Sequence, residues 1–460
     1  MDLSDDFRLT LAHLLPSFPA VKLAVAYSGG VDSQVLLHLA YQLSLTHPNI
    51  QLRALHVNHG ISDNATFWAK HCSDYCNALG IAFELRQLTL QKQAQQSLEA
   101  DAREARYQAL ADMLLDDEVL LLGQHSQDQI ETFLLQLKRG AGPKGLSSMA
   151  ACGDMPVGGA SIRFARPLLH VDKQHIVSYA KQERLSWQDD ESNQDTQFDR
   201  NFIRHHVMPL LAQRWPGFHS AANRSIAHIA EQELMLQDVT QVRFEQCLNA
   251  NGSLCLLRLG QISKPWQKRI VRTWIEHSAR VSKSELPLTM PSQKVLSQVF
   301  DTLIHAKTDA NPKVQHGQWQ FRRFQRKLYL VQAFDSLKSF QWTWSGEPVY
   351  EVDSGLGRFL FATSSKDHCV SIEYEPPSEK GESALLVEAK LTVKASAAIS
   401  VRFSGYGARF KPAGSHLSKP IKQWFKLWNI PPWERERIAL LFVDDRIVMV
   451  GGIVSADFSD

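Results

Sequence analysis

Cysteine is scarce: six in 460 residues, at 72, 76, 152, 247, 255 and 369, with no CxxC pair among them. That is no disulfide framework, and the reading is reduced thiols in a cytosolic protein. Cys72 and Cys76 fall at i, i+4 on an expected helix and read as buried packing rather than a metal or redox pair. No apolar run approaches the ~20 residues that would span a bilayer, so no membrane association is expected. The start, MDLSDDFRLT, is acidic and lacks the basic beginning of a secretory signal. Neither charge sign dominates: 50 Lys and Arg face 48 Asp and Glu, a net of +2. The molecule as a whole is therefore no basic glue, and any nucleic-acid binding has to come from local patches. There is no internal repeat and no low-complexity tract.

What is present is an ordinary globular composition, 44% hydrophobic and 21% charged, in a chain too long for one core. Single cores rarely grow past about 250–300 residues, so two or three domains are expected. The first ~140 residues alternate strand patterns (21–27, 51–57, 82–90, 118–123) with helical ones (32–45, 64–79, 97–115, 127–139). Continuous apolar strands separated by helices predict an α/β domain, a doubly wound parallel sheet covered on both faces. The strand ends 27–33, 56–60 and 123–128 should then gather at its carboxyl edge, where such sheets bind ligands. The Gly-rich string KRGAGPKGLSSM (138–149) reads as a loop near that edge, and a strand (161–166) and two helices complete the domain. One long helix is expected over 218–246, then helices near 266–280 and 292–306 and a hairpin over 317–331. From about 340 the chain turns β-rich, with one helix near 418–428 and a hairpin turn at Asp444-Asp445. The expected division is 1–215 for the α/β domain, 216–335 for a mainly helical middle domain and 336–460 for a β-rich α+β domain.

The chemistry concentrates in AVAYSGGVDSQVLL, residues 24–37. Ser28, Gly29, Gly30, Val31, Asp32 and Ser33 stand between a buried strand and a helix, where a doubly wound sheet places a phosphate. The glycines allow a sharp turn and close approach, the amides opening the helix point outward unpaired, and both serines can donate to phosphate oxygens. Asp32 repels phosphate, and makes sense if a cation lies between them or a substrate amine has to be held or deprotonated. Read blandly, Asp32 or Ser33 is an N-cap, which explains one residue but not the glycine pair with both serines. The Walker pattern GxxxxGK[ST] and the dinucleotide pattern GxGxxG are both absent here.

A second string, GQHSQDQIETFLLQLKRGAGPKGLSSM (123–149), puts Asp128 and Glu131 at i, i+3 on one helix face, with His125 ending the preceding strand. Two carboxylates and an imidazole aimed at the same edge suit an ammonium group and its deprotonation; the bland alternative is helix-start acids favoured by the dipole.

SGGVDS resembles the pyrophosphate loop of the N-type ATP pyrophosphatases (PP-loop family). The second string resembles the HxxDDQxET-LKRGxGPxGLS region of tRNA(Ile)-lysidine synthases. So do SLEADAREARYQAL (97–110), RPLL (166–169), WQDDESNQDTQFDRNFIRHHVMPLL (187–211) and RFKPAGSHLSKPIKQWFKLWNIPPWERER, in order and over nearly the whole chain. The chain departs from that pattern at Gln127, where the family usually has an aspartate, and at KPAGSHLSKP, where it usually has a glycine/arginine-rich string. The resemblance implies a cytoplasmic ligase that uses ATP and Mg2+ to adenylate the wobble cytidine of a tRNA(Ile) with a CAU anticodon. Free L-lysine then displaces AMP to give lysidine. On this reading Ser28 to Ser33 hold the ATP phosphates (Val31 through its backbone), and Asp32 also faces Mg2+ or the reacting groups. Asp128 and Glu131 hold lysine, and Asp128 or His125 stands near the proton transfers. Arg103 and Arg106 clamp phosphate or the activated base, where adenylation builds charge; their bland alternative is an Arg103–Glu99 pair. Arg200, Asn201 and Arg204 match an RN-x-x-R string and are read as binding tRNA or ATP.

Positive charge is concentrated in 401–433, where Arg402, Arg409, Lys411, Lys419, Lys422 and Lys426 occur with no acid, interleaved with Phe410, Trp424, Phe425 and Trp428. A second patch is Arg322, Arg323, Arg326 and Lys327. The charges read as tRNA phosphate contacts, whereas Trp424 and Trp428 at i, i+4 read as core rather than stacking platforms. Two alternatives stay open: another base-modifying ATP pyrophosphatase of the thiolase kind, and a tRNA-binding relative with an inactive nucleotide site. The oligomeric state, monomer or homodimer, is open as well.

Overall fold

In this computed structural model the described residues are 2–58, 64–88, 95–158, 160–188, 194–282, 286, 288–304, 312–352, 356–364, 368–376 and 387–458; for 65 and 95–102 the backbone alone is described. They form two compact units, Met1–Gln237 and Asp238–Asp460.

The first unit begins with α1 (Leu3–Leu14), β1 (Lys22–Ala26), α2 (Val31–Thr46), β2 (Gln51–Asn58), α3 (Ala65–Leu79) and β3 (Ala82–Gln87). It continues with α4 (Gln95–Met113), β4 (Glu118–Leu121), α5 (Ser126–Lys138), the single turn α6 (Pro143–Leu146), β5 (Cys152–Val157) and β6 (Ala160–Ala165). Then come α7 (Lys173–Gln182), α8 (Asp199–Phe202), a π-helical turn Ile203–Val207, α9 (Met208–Arg214) and the long α10 (Phe218–Cys247), which carries the chain into the second unit. The sheet order is β3-β2-β1-β4-β6-β5. All neighbours are parallel except the edge pair β5–β6. Strand order reverses between β1 and β4, so their carboxyl ends open the crevice where an α/β sheet takes its ligand.

Side chains of β1 alternate between two cores, as a strand buried on both faces requires. Leu23 and Val25 pack with residues of α1, α2, α3 and α7, while Ala24 and Ala26 face Tyr107, Leu110 and Met113 of α4. Each fully buried Leu or Val contributes about 1.5–3 kcal/mol, which anchors the loop that follows. Cys72 and Cys76 lie in the first of these cores. The expected strand at 82–90 ends at Gln87, and positions 89–90 lie outside the described residues.

In the second unit the end of α10 packs with α11 (Leu256–Gly260), α12 (Lys264–Val281) and α13 (Gln293–Gln298) around Phe244, Trp274 and Phe321. A four-stranded sheet, β7 (Leu254–Cys255), β10 (Lys327–Gln332), β9 (Trp319–Phe324) and β8 (Lys313–His316) in spatial order, covers this core. The expected hairpin is β9–β10, turning through Gln325 and Arg326 at φ 46° and 60°. The remainder is β-rich, as expected. β12 (Val349–Glu351), β13 (Arg358–Ser364), β14 (Cys369–Glu375) and β15 (Ala389–Lys394) make one antiparallel sheet. β11 (Gln341–Thr343), β16 (Ile399–Arg402), β19 (Leu440–Val443), β20 (Arg446–Val450) and β21 (Ile453–Val454) make another, and the two share a core. Asp444 and Asp445 form the expected turn, with φ 48° and 60°. The pair β17 (Arg409–Phe410) and β18 (Lys419–Pro420) leads into α14 (Ile421–Leu427), which packs on β19 and β20 through Trp424 and Phe425. Trp433, on the short α15 (Pro432–Arg435), sets its ring 5.2 Å from Tyr329 and 6.1 Å from Phe324. That contact ties α15 to the β9–β10 hairpin. No described helix is long and apolar enough to cross a membrane.

Candidate active site

The loop after β1 is built as a phosphate cradle. Gly29 has φ +88°, and a Cβ there would lie 2.9 Å from Cys72 Sγ, so only glycine fits. Gly30 caps α2 in an extended conformation, and the first i→i−4 bond of the helix is Gln34 N–H to Gly30 O at 2.9 Å. The amides of Val31, Asp32 and Ser33 thus have no intrahelical acceptor and face the helix's positive end outward. Gly123, past β4, lies so close over this first turn that a Cβ would meet Ser33 N at 3.3 Å. Gln188 N–H donates to Gly29 O at 2.9 Å and closes the loop from the other side.

The two serines divide their work. Ser33 is buried; its Oγ accepts from Ser28 N–H at 3.1 Å and donates to Gly30 O at 3.0 Å. That hydroxyl holds the loop's shape. Ser28 is exposed, with its Oγ 3.0 Å from Ser33 Oγ, and is the serine open to a ligand.

The charged cluster stands beside the loop. Ser126 N–H at the start of α5 donates to Val171 O at 3.0 Å, which draws the beginnings of α5 and α7 together. His125 caps α5: its Nδ1 accepts from Gln127 N–H at 3.3 Å, and its backbone N–H donates to Asp128 Oδ2 at 3.0 Å. With Nδ1 accepting, Nε2 carries the proton, and it faces Asp128 Oδ2 at 3.5 Å and Asp32 Oδ1 at 3.7 Å. Gln127 therefore contributes its amide to the cap. Glu131 is fully buried and takes both of its hydrogen bonds from Arg204: Nε to Oε1 at 2.7 Å and Nη2 to Oε2 at 2.8 Å. Arg204 Nη2 also reaches Asp128 Oδ1 at 3.2 Å, and Arg200 donates to Thr132 Oγ1 at 2.9 Å. Burial pushes the Glu131 carboxyl above its ordinary pKa, against the opposing pull of Arg204. Burial works to lower the Arg204 guanidinium, but its bonds to Glu131 outweigh it and hold the pKa up.

The expected members divide accordingly. Ser28 to Ser33, His125 and Asp128 converge at the crevice. Glu131 lies behind it with both oxygens on Arg204, so its geometry is that of a support for the arginine rather than a receptor for lysine. Arg204 belongs to the cluster, whereas Asn201 donates to Asp195 O at 2.9 Å in the adjoining turn. Arg106 is half-buried, with its pKa lowered by burial, and lies close enough to His56 at the end of β2 to lower that pKa further. Arg103 is exposed, its guanidinium 5.1 Å from the Tyr107 ring. Glu99, its expected partner, has no described side chain.

Two residues of this region, Lys173 and Arg166, were not singled out by sequence, and a third, Cys72, was read there only as the buried packing it is. Lys173, at the first position of α7, places Nζ 2.5 Å from Asp32 Oδ1. Arg166, in the RPLL string, is buried; it donates to Gln124 Oε1 at 2.8 Å and to Ala150 O at 2.6 Å, tying β6 to the end of β4. Cys72 comes against the back of Gly29 from α3. No cysteine neighbours the loop in sequence, but this one does in space. It is fully buried, and burial pushes its thiol up to about 12.

Among the described residues no group of three or more His, Cys, Asp or Glu could hold a metal ion. A single carboxylate at a phosphate loop still fits Mg2+, which is commonly held by one or two carboxylates together with the substrate's phosphates.

On the second unit, Lys422 and Lys426 are exposed on α14. Arg402 pairs with Asp445 at 2.7 Å, and Lys419 Nζ lies 5.5 Å from the centre of the Trp424 ring. Trp424 is buried, as expected for core, and Trp428, half-buried, packs on it with ring centres 5.4 Å apart; Phe425 is buried as well, and Trp424 Nε1 donates to Phe410 O at 2.8 Å.

Three family models match the chain: a PP-loop domain over residues 3–211, the TilS substrate binding domain over 254–329 and the TilS substrate C-terminal domain over 399–460. Among curated proteins, the tRNA(Ile)-lysidine synthase of Serratia proteamaculans is 38% identical over 431 residues, covering 94% of this chain and 91% of that protein. That of Vibrio atlanticus is 37% identical over 468 residues, covering 96% of each chain, and that of Vibrio cholerae O395 is 36% identical over 456 residues, covering 99% and 96%.

Proposed function

The chain belongs to the tRNA(Ile)-lysidine synthase family, and from that premise we propose how its own residues perform the reaction. The enzyme is a ligase that uses ATP to join lysine to the wobble cytidine of tRNA(Ile), giving lysidine, AMP and diphosphate. The substrates are a tRNA with a CAU anticodon and free L-lysine, and the enzyme works in the cytoplasm. The ring carbonyl oxygen of the cytidine attacks the α-phosphorus of ATP, and pyrophosphate leaves. The ε-amine of lysine then attacks the same ring carbon, AMP departs with the oxygen, and the amine gives up a proton. Lysidine pairs with A instead of G, so the tRNA passes from methionine to isoleucine decoding.

The free amides of Val31, Asp32 and Ser33 and the Ser28 hydroxyl bind the ATP phosphates, with Ser33 bracing the loop. Asp128 receives the lysine ammonium and takes up the proton released on attack, while His125, with Nε2–H between Asp128 and Asp32, steadies both carboxylates. Arg204, fixed by Glu131, offsets negative charge as adenylation proceeds. Arg106, near His56 of β2, and Arg103 on the same helix are assigned the clamp on the activated base. Asp32 is the residue that would hold Mg2+, which neutralises phosphate charge when bound. The second unit holds the tRNA through Lys422, Lys426 and their neighbours. The division at 215/216 and 335/336 is retained as the functional one, with the last two parts binding tRNA.

The observation that carries this reading is the meeting of the amide-lined loop with the His125–Asp128 pair at one switch point of the sheet, 3.7 Å apart at Asp32. A thiolase-like relative would need a reactive thiol here, and the cysteine behind the loop is buried with its thiol pushed up to about 12. The test is pyrophosphate release with and without lysine and tRNA, in the wild type and in Asp128→Asn. Release should require the tRNA, and D128N should raise the KM for lysine while leaving ATP binding intact. An unchanged lysine KM would remove Asp128 from its role.

A further inference from the structure

The loop SGGVDS carries a carboxylate and no lysine. Walker-type loops bring a lysine of their own to the β- and γ-phosphates. Here a loop that takes up a triphosphate and releases pyrophosphate has only amides and a hydroxyl in its own sequence, with Asp32 opposing the charge. The fold brings a lysine from 141 positions further along the chain, with Lys173 Nζ 2.5 Å from Asp32 Oδ1. Lys173 is not placed there to stabilise its own helix. It occupies the first turn of α7, where a cation meets the positive end of the helix dipole. The helix start is fixed independently, by the Asp172 carboxylate accepting from Gln174 N–H at 2.8 Å. α7 also packs along α2, with His38 Nδ1 and Tyr179 Oη 3.0 Å apart, so the two helix starts stay in register.

We propose that Lys173 is the phosphate-binding lysine the loop lacks. It is held on Asp32 until ATP arrives, then turned onto the β- and γ-phosphates, and it stays with pyrophosphate as that group leaves. This rests on the reading that ATP phosphates occupy the loop. Of the cations facing Asp32, Arg204 is tied to Glu131 by two hydrogen bonds, whereas Lys173 is held by one ion pair on a flexible stem and is the one free to turn. Its departure leaves Asp32 facing His125 Nε2 at 3.7 Å and opens the carboxylate to an incoming cation.

The test is calorimetric binding, without turnover, of pyrophosphate, a non-cleavable α,β-methylene ATP analogue and AMP to the wild type, Lys173→Met and Lys173→Arg. Loss of one charge-assisted contact should weaken pyrophosphate and the analogue roughly 10- to 100-fold in K173M. AMP should change by less than twofold, and K173R should restore most of the loss. AMP binding also serves as the control for folding. K173M binding pyrophosphate as tightly as the wild type would overturn the proposal, as would an equal loss for AMP. If K173M does not fold, Lys173→Gln against K173R decides: pyrophosphate affinity has to follow the charge. Failure of the wild type itself to bind the analogue would instead refute the reading of the loop.

Discussion

Replacing Glu131 by glutamine separates two roles that sequence alone could not. If its carboxylate meets the lysine ammonium, Glu131 and Arg204 act independently; if it holds Arg204, they act as one. The pair consists of two charge-assisted hydrogen bonds at 2.7 and 2.8 Å, each worth about 1.5–3 kcal/mol. The Arg204 side chain is 29% exposed and keeps Asp128 at 3.2 Å, which lowers the loss to about 2–3 kcal/mol. At 1.4 kcal/mol per tenfold, that is roughly a 30- to 150-fold fall in kcat/KM for lysidine formation. In E131Q an amide hydrogen is set against the guanidinium donors, and in Arg204→Met the charge is gone and the stem remains. The double variant should be no worse than the poorer single, a coupling near the full value of either change. Additive losses, on the order of 10³ to 10⁴ in total, would refute the supporting role. A pH series adds a second readout. Burial raises the Glu131 pKa, so falling pH protonates it and loosens Arg204 sooner than an ordinary glutamate would. The wild type should show that acid limb, and E131Q should lose it.

At the loop, Gly29→Ala meets both a φ of +88° and a Cβ 2.9 Å from Cys72 Sγ. It should cost about 2–4 kcal/mol in chemical unfolding, with Cys72→Ala recovering the overlap but not the backbone strain. A full cost unaffected by C72A would show the contact to be harmless. Reversing the exposed pair Lys422 and Lys426 to Glu should raise the KM for tRNA about tenfold at physiological salt and leave that for ATP unchanged. Unchanged tRNA affinity would remove α14 from the interface. Iodoacetamide at pH 8 should modify the exposed Cys152 and spare Cys72 and Cys76, whose thiols are pushed up to about 12 and are thiolate only about once in 10⁴. Rapid loss of Cys72 would reopen the thiolase alternative.

The α/β order of the first domain was legible because β1, β2 and β4 are apolar runs ending in turn residues, with helices of ordinary length between them. Edge strand β5 was not. No strand was expected over 152–157, because Gly153 and Pro156 are poor strand formers; Pro156 is tolerated because an edge strand can spare an N–H. Helix α1 was passed over although Leu3, Phe7 and Leu11 repeat at helical spacing, because the acidic start was read only for targeting. In the site, the loop and the His125–Asp128 pair were visible as local strings. Lys173 on Asp32 and Cys72 behind Gly29 were not, because only the packing of α7 and α3 against the switch point brings them there. Arg204 was named from its string, but its partner was not, since the i, i+3 spacing of Asp128 and Glu131 shows a shared face and not which carboxylate is buried.

The most direct measurement is the mass of the wobble nucleoside after CAU-anticodon tRNA(Ile) is incubated with the enzyme, ATP, Mg2+ and isotopically labelled lysine. The nucleoside should be cytidine plus one lysine less one water, carrying the label, formed together with AMP and pyrophosphate and abolished in Asp32→Ala. An unmodified cytidine, a sulfur-containing nucleoside, or full product from D32A would contradict the assignment of this loop as the ligase centre.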